Sequence, residues 1–113
     1  MKGFYKFSQS RSKLVERLID DDNVAINHMV LATGDTLPEH YTNSHVYLLI
    51  TSGTLRLTLG EENAHQYEAG EIINIPYQTK MKITNSADDL LEFFVIKAPS
   101  PRSFSKKQER KEP

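Results

Sequence analysis

The sequence predicts an all-β fold, a barrel or sandwich of about eight to nine short antiparallel strands, and three features predict it. Short runs rich in apolar and β-branched residues recur at regular spacing, four of the five glycines (Gly34, Gly53, Gly60 and Gly70) fall between those runs, and several runs alternate apolar with polar residues. A strand turns successive side chains to opposite faces, so alternation of period two marks an element with one dry face. At 113 residues the chain has the size of one compact domain with a single core.

Residues 1–12 are polar with Phe4, Tyr5 and Phe7 interspersed, which predicts an extended arm that packs its aromatics. Over residues 13–19, Leu14, Val15, Leu18 and Ile19 fit one face of a helix as well as a strand, and periodicity does not separate the two over so short a run. Asp20, Asp21, Asp22 and Asn23 then form a turn, because their side chains satisfy nearby backbone groups. Residues 1–23 are read as an N-terminal arm and, as implied by the family resemblance that the motifs of residues 34–85 carry, an entry strand.

Residues 24–98 are read as the barrel. The run 24–32 is a strand ending at the turn Thr33-Gly34-Asp35, residues 38–44 are a loop, and 45–51 and 54–59 form a hairpin about Ser52-Gly53. Leu55, Leu57 and Leu59 alternate there with Thr54, Arg56 and Thr58, and are placed in the core. Residues 65–67, 71–75, 79–85 and 90–96 complete the set, with Pro76 ending the second of these runs because proline cannot donate to a ladder. Met81 and Ile83 share one face of theirs and join the core. Residues 99–113 lose apolar content and gain charge, so they are expected to form a basic, flexible tail in solvent.

Composition excludes several functions. With no cysteine there is no disulfide framework and no thiolate site, so a bound metal would take nitrogen and oxygen ligands. The start lacks an apolar signal region and no apolar run approaches the ~20 residues that span a bilayer, from which a cytoplasmic protein without membrane contact is expected. Residues 1–98 carry nine Lys and Arg against thirteen Asp and Glu, so the body repels phosphate backbones and no nucleic-acid partner is expected.

The stretch GDTLPEHYTNSHVYLLITSG, residues 34–53, resembles the first motif of the cupin family, glycine, five residues, His-x-His, three or four residues, Glu, six residues, glycine. Gly34, His40 and Gly53 stand at that spacing, while Thr42 holds the second His position and Val46 the Glu position. Residues 70–85, GEIINIPYQTKMKITN, resemble the second motif: Gly70, Pro76 and Asn85 match, Gln78 replaces a glycine and Met81 a histidine. The resemblance implies a double-stranded β-helix (jelly-roll) barrel. It also implies an inward site in which three His and one Glu hold a divalent metal, of which only His40 is present here.

The expected function is that of a small cupin-fold protein that binds a small organic ligand in its barrel among His40, Thr42, Val46, Tyr77, Gln78 and Met81, with a degenerate metal site. The alternative is a metal-dependent enzyme of isomerase, dioxygenase or decarboxylase type, with a divalent metal on a site rebuilt around His40 and His45. Parity opposes the alternative: if Val46, Leu48 and Ile50 point inward, His45 shares the other face with Tyr47 and Leu49. Tyr77 and Gln78 are ligand-binding or simple turn residues. His28, between Ile26 and Val30, reads as a hydrogen-bonded structural histidine, and His65 as a surface one. A homodimer is expected, because residues 45–51 and 90–96 are apolar on both faces and a sheet dry on both sides needs a cover.

Overall fold

The computed structural model describes residues 2–104. Nine strands run in chain order: β1 Leu14–Asp20, β2 Ala25–Leu31, β3 His40–Tyr41, β4 Val46–Ser52, β5 Thr54–Leu59, β6 His65–Glu68, β7 Ile72–Ile75, β8 Lys80–Thr84 and β9 Leu91–Lys97. They form two antiparallel sheets, one of five strands in the order β1-β2-β9-β4-β7 and one of four in the order β3-β8-β5-β6. The expected all-β class and strand set are present. Alternation was a sound guide here because each sheet has one face turned to a shared interior.

That interior is filled by period-two sets from both sheets. Val46, Leu48 and Ile50 of β4 and Leu91, Phe93 and Val95 of β9 come from one sheet, and Leu55 and Leu57 of β5 with Met81 and Ile83 of β8 come from the other. Leu59 is partly buried against the same cluster. The hairpin expected over residues 45–59 is not formed: β4 pairs with β7 and β9 in one sheet and β5 with β6 and β8 in the other, and the chain crosses between the sheets at Gly53, whose φ is 85°. A Cβ there would lie 2.3 Å from the Leu90 carbonyl oxygen, so the close approach of the chain leading into β9 requires glycine as much as the turn does.

One open reading is resolved and two further segments differ from expectation. The ambiguous run at residues 13–19 is a strand, and the register of β1 on β2 shifts between Arg17 and Ile19. Such a bulge breaks strict alternation and leaves apolar residues at helix-like spacing. The stretch expected as a loop over residues 38–44 contains β3, whose His40 pairs with Met81 and Tyr41 with Lys80. Residues 99–104 do not stand in solvent: a helical turn spans 101–104, Phe104 is buried, and the Ser44 hydroxyl donates to the Pro99 carbonyl. The rest of the expected tail, 105–113, lies outside the described residues.

Leu57 is 2% exposed at the centre of the four-stranded sheet's inner face. Leu57→Ala is expected to cost about 2–5 kcal/mol, the usual range for truncating a core leucine. Chemical denaturation of the variant measures it, and a change within error would place Leu57 outside the core.

Candidate functional site

At one end of the barrel the inner faces of the two sheets diverge around a cavity of about 60 Å³. Its wall combines Met29, Val46, Met81 and Val95 with His40 and Thr42, and Asn27, Asn43 and Lys97 join them. Strand parity accounts for this set: Asn27 lies two residues before Met29, and Lys97 two after Val95, so both continue an inward row. The cavity thus has a polar rim, with a cation in it, beside its apolar wall.

The sequence-predicted residues divide between the cavity and elsewhere. His40, Thr42, Val46 and Met81 are brought together. His40 Nδ1–H donates a hydrogen bond to the Pro38 carbonyl oxygen at 3.0 Å, so that Nε2 is the acceptor whenever the ring is neutral. Thr42 is 3% exposed. Its hydroxyl donates to the Pro76 carbonyl at 2.6 Å and accepts from the Thr79 amide at 2.9 Å, clipping the segment after β3 to the turn between β7 and β8.

Tyr77, Gln78 and His45 are not in the cavity wall. Gln78 sits at φ 59°, the left-handed position that the cupin motif gives to glycine, and its amide bonds the Thr42 carbonyl. It is a turn residue. The Tyr77 and His45 rings pack on Phe104, with centroids at 4.5 and 5.3 Å. His40 and His45 are therefore not assembled into a pair, because the inward placement of Val46 turns His45 to the other face.

This donor set does not fit a divalent metal. One imidazole remains, Thr42 spends its hydroxyl on the backbone, Val46 offers no donor, the Met81 thioether is a soft ligand, and Lys97 repels a cation. Among the described residues no group of three or more His, Asp or Glu is placed to hold a metal ion.

His28 lies on the outer face of the five-stranded sheet and is fully buried there. Its Nδ1 stands 3.0 Å from Glu16 Oε1 and its Nε2 2.9 Å from Glu92 Oε2. An ionised carboxylate only accepts, so with both glutamates charged the two bonds together require the doubly protonated ring. Phe7 of the N-terminal arm and Phe94 of β9 each lie 4.9 Å from the imidazole. Ser8 holds the arm in place through its amide and hydroxyl on the Glu16 carboxylate. The aromatic packing expected of the arm is made by Phe7, while Phe4 and Tyr5 remain exposed.

Two antiparallel sheets closed over one apolar interior, with a lined cavity at one end, define a double-stranded β-helix protein of small-barrel type. No family model matches the chain. It is 43% identical over 102 residues, 89% of its own length and 88% of the relative's, to an uncharacterised protein of Methanocaldococcus jannaschii. A crystal structure from the same organism, of an RmlC-like cupin family protein, superposes with a TM-score of 0.90 at 42% identity over 93% of this chain and 97% of that one. The chain belongs to the RmlC-like cupin family. A cupin superfamily protein of Desulfitobacterium hafniense shares the fold at 16% identity, TM-score 0.70, over 82% and 83% of the two chains. A variant of Bacillus subtilis oxalate decarboxylase shares the fold alone at 21% identity, TM-score 0.64, over 70% of this chain and 22% of the decarboxylase.

The outer network makes stability pH-dependent in a definite direction. Glu16 is held below its ordinary 4.5 by the Ser8 hydroxyl and amide first and by His28 after them. For Glu92 burial pushes upward, and the bonds from Thr51 and His28 outweigh it to leave a net lowering. A carboxylate whose folded pKa is depressed binds more protons unfolded, so its contribution is complete above about pH 4.5 and is lost as pH falls through the lowered values. The urea midpoint is expected to fall between pH 5 and 3, and to fall less in the Glu16→Gln/Glu92→Gln double variant. Equal acid sensitivity of the two proteins would remove the network from the account.

Proposed function

We propose that this cupin binds a small organic ligand at the mouth of its barrel and does so without the metal chemistry that the family motifs describe. One observation carries the reading: the cavity stands where the motif ligands would converge, and Val46, Thr42 and Met81 line it with apolar or already bonded groups beside a single histidine. A concave, mostly apolar site with a few convergent polar groups is the usual form of a small-molecule site. His40 Nε2 supplies an acceptor at its edge. The metal-dependent alternative gains no support from His45, whose ring lies against Phe104.

We also propose that the outer face of the five-stranded sheet pairs with a second copy. Ile72 is 64% and Tyr47 39% exposed on adjoining strands of that face, and the Phe7 arm covers the region of Phe94 instead.

Two measurements check these proposals. Titration of the full chain, methyl-labelled at methionine, with 1-propanol is expected to shift the Met29 and Met81 methyl signals, and unmoved signals would contradict a barrel-mouth ligand site. Sedimentation at micromolar concentration is expected to show a dimer that Ile72→Lys dissociates, and a wild-type monomer would refute the pairing.

A further inference from the structure

The inner cavity and a wider groove of about 230 Å³ lie side by side, sharing Asn27, Asn43 and Lys97 as a common wall. Arg17, Asp20, Ser100 and Arg102 complete the groove's polar lining. Three cations and one carboxylate thus line a groove adjacent to the apolar barrel mouth.

The cations are not equally engaged. Arg102 Nε meets Asp22 Oδ1 at 3.1 Å and its Nη2 donates to the Asp20 carbonyl at 3.1 Å. Arg17 lies 3.7 Å from Asp20 Oδ2. Lys97 is partly buried and forms no ion pair among the described residues. Burial first, and the Arg17 guanidinium second, hold its ammonium below the ordinary lysine range, against a smaller opposing pull from Asp20. A partly desolvated cation beside a second cation is an arrangement that an anion relieves.

Two buried polar atoms in the described structure lack any hydrogen-bond partner, Asn27 Oδ1 and Ser100 Oγ, and both residues line this groove. Ser100 is fully buried. Buried polar atoms are ordinarily paired with protein or water, so these two mark unmet hydrogen-bonding capacity beside the groove. A hydroxyl both donates and accepts, so one ligand hydroxyl matches an amide and a serine alike.

We infer that the barrel mouth takes a short-chain hydroxy acid in its anionic form, the carboxylate set among Lys97, Arg17 and Arg102, the hydroxyl against Asn27, and the apolar end inside the barrel. The inference rests on the ligand-pocket reading above and adds the chemical class. Size restricts the apolar end, because the cavity is small, about 60 Å³.

The test is NMR titration of the full chain at constant ionic strength with 2-hydroxybutyrate, 1-propanol and inorganic phosphate. 2-Hydroxybutyrate is expected to move the Met29 and Met81 methyls together with the Asn27 side-chain amide. Lys97→Gln should weaken it about tenfold, the loss of one charge-assisted bond, while the response to 1-propanol stays as in the wild type and Lys97→Arg retains most of the affinity. Arg17→Gln, at an exposed position, should weaken binding by a smaller factor without touching the core. Equal binding of 2-hydroxybutyrate and 1-propanol, unchanged in Lys97→Gln, would overturn the anion and leave the ligand pocket standing. Methyl signals unmoved by either compound would overturn both readings. Phosphate moving the Asn27 amide as strongly as 2-hydroxybutyrate, with the methyls still, would overturn the organic ligand in favour of a bare anion site.

Discussion

The parity of β4 governs the chemistry of this barrel. Val46, Leu48 and Ile50 fill the interior against β9 and the facing sheet, at 1%, 0% and 1% exposure. A slip of one residue would carry all three to the outer face and bring His45, Tyr47 and Leu49 inside, so the register is fixed by burial of three large side chains at once. With the register fixed, the motif position of a metal-binding carboxylate holds a valine and the neighbouring histidine faces Phe104. The loss of metal ligands and the apolar Val46 in the cavity wall are one consequence of the same strand.

The ends of the inward rows carry the other half of the account. Toward the mouth, the rows of β2 and β9 change from Met29 and Val95 to Asn27 and Lys97, with Ala25 paired to Lys97. Polar groups there cost less than deeper in the core because water or a ligand reaches them. The opposite face keeps its own polar cluster closed: Glu16, His28 and Glu92 satisfy one another beneath Phe7. One face thus spends its charged groups on holding the arm, while the mouth leaves Lys97, Asn27 and Ser100 with unused bonding capacity.

Most of the fold was legible because the sequence patterns follow the same two faces that packing enforces, as in Leu55 and Leu57 of β5 and Met81 and Ile83 of β8. The motif spacing around Gly34, His40 and Gly53, and around Gly70, Pro76 and Asn85, identified the barrel even where ligand types were replaced. Other features were hidden for physical reasons. The bulge at Arg17 to Ile19 imitates helical spacing, the two-residue β3 is too short to show a period, and the docking of Phe104 depends on partners distant in sequence, His45 and Tyr77. Within the site, His40, Val46 and Met81 were legible from motif positions. Asn27 and Lys97 were overlooked, although a polar residue that continues an inward apolar row at a strand's end is a readable signal of a barrel mouth. Gln78 looked like a ligand group because a left-handed glutamine is not distinguishable by sequence from an ordinary one.

On the proposed reading β4 turns the barrel away from a metal and toward an organic ligand. The most direct measurement is stoichiometric metal uptake by the purified full chain with nickel, manganese and zinc, run beside His45→Ala. A single histidine supplies too few ligands for a stable site, so weak uptake that His45→Ala does not alter is the predicted result. Tight one-to-one binding in the wild type that disappears in His45→Ala would show β4 in the other register and contradict the account.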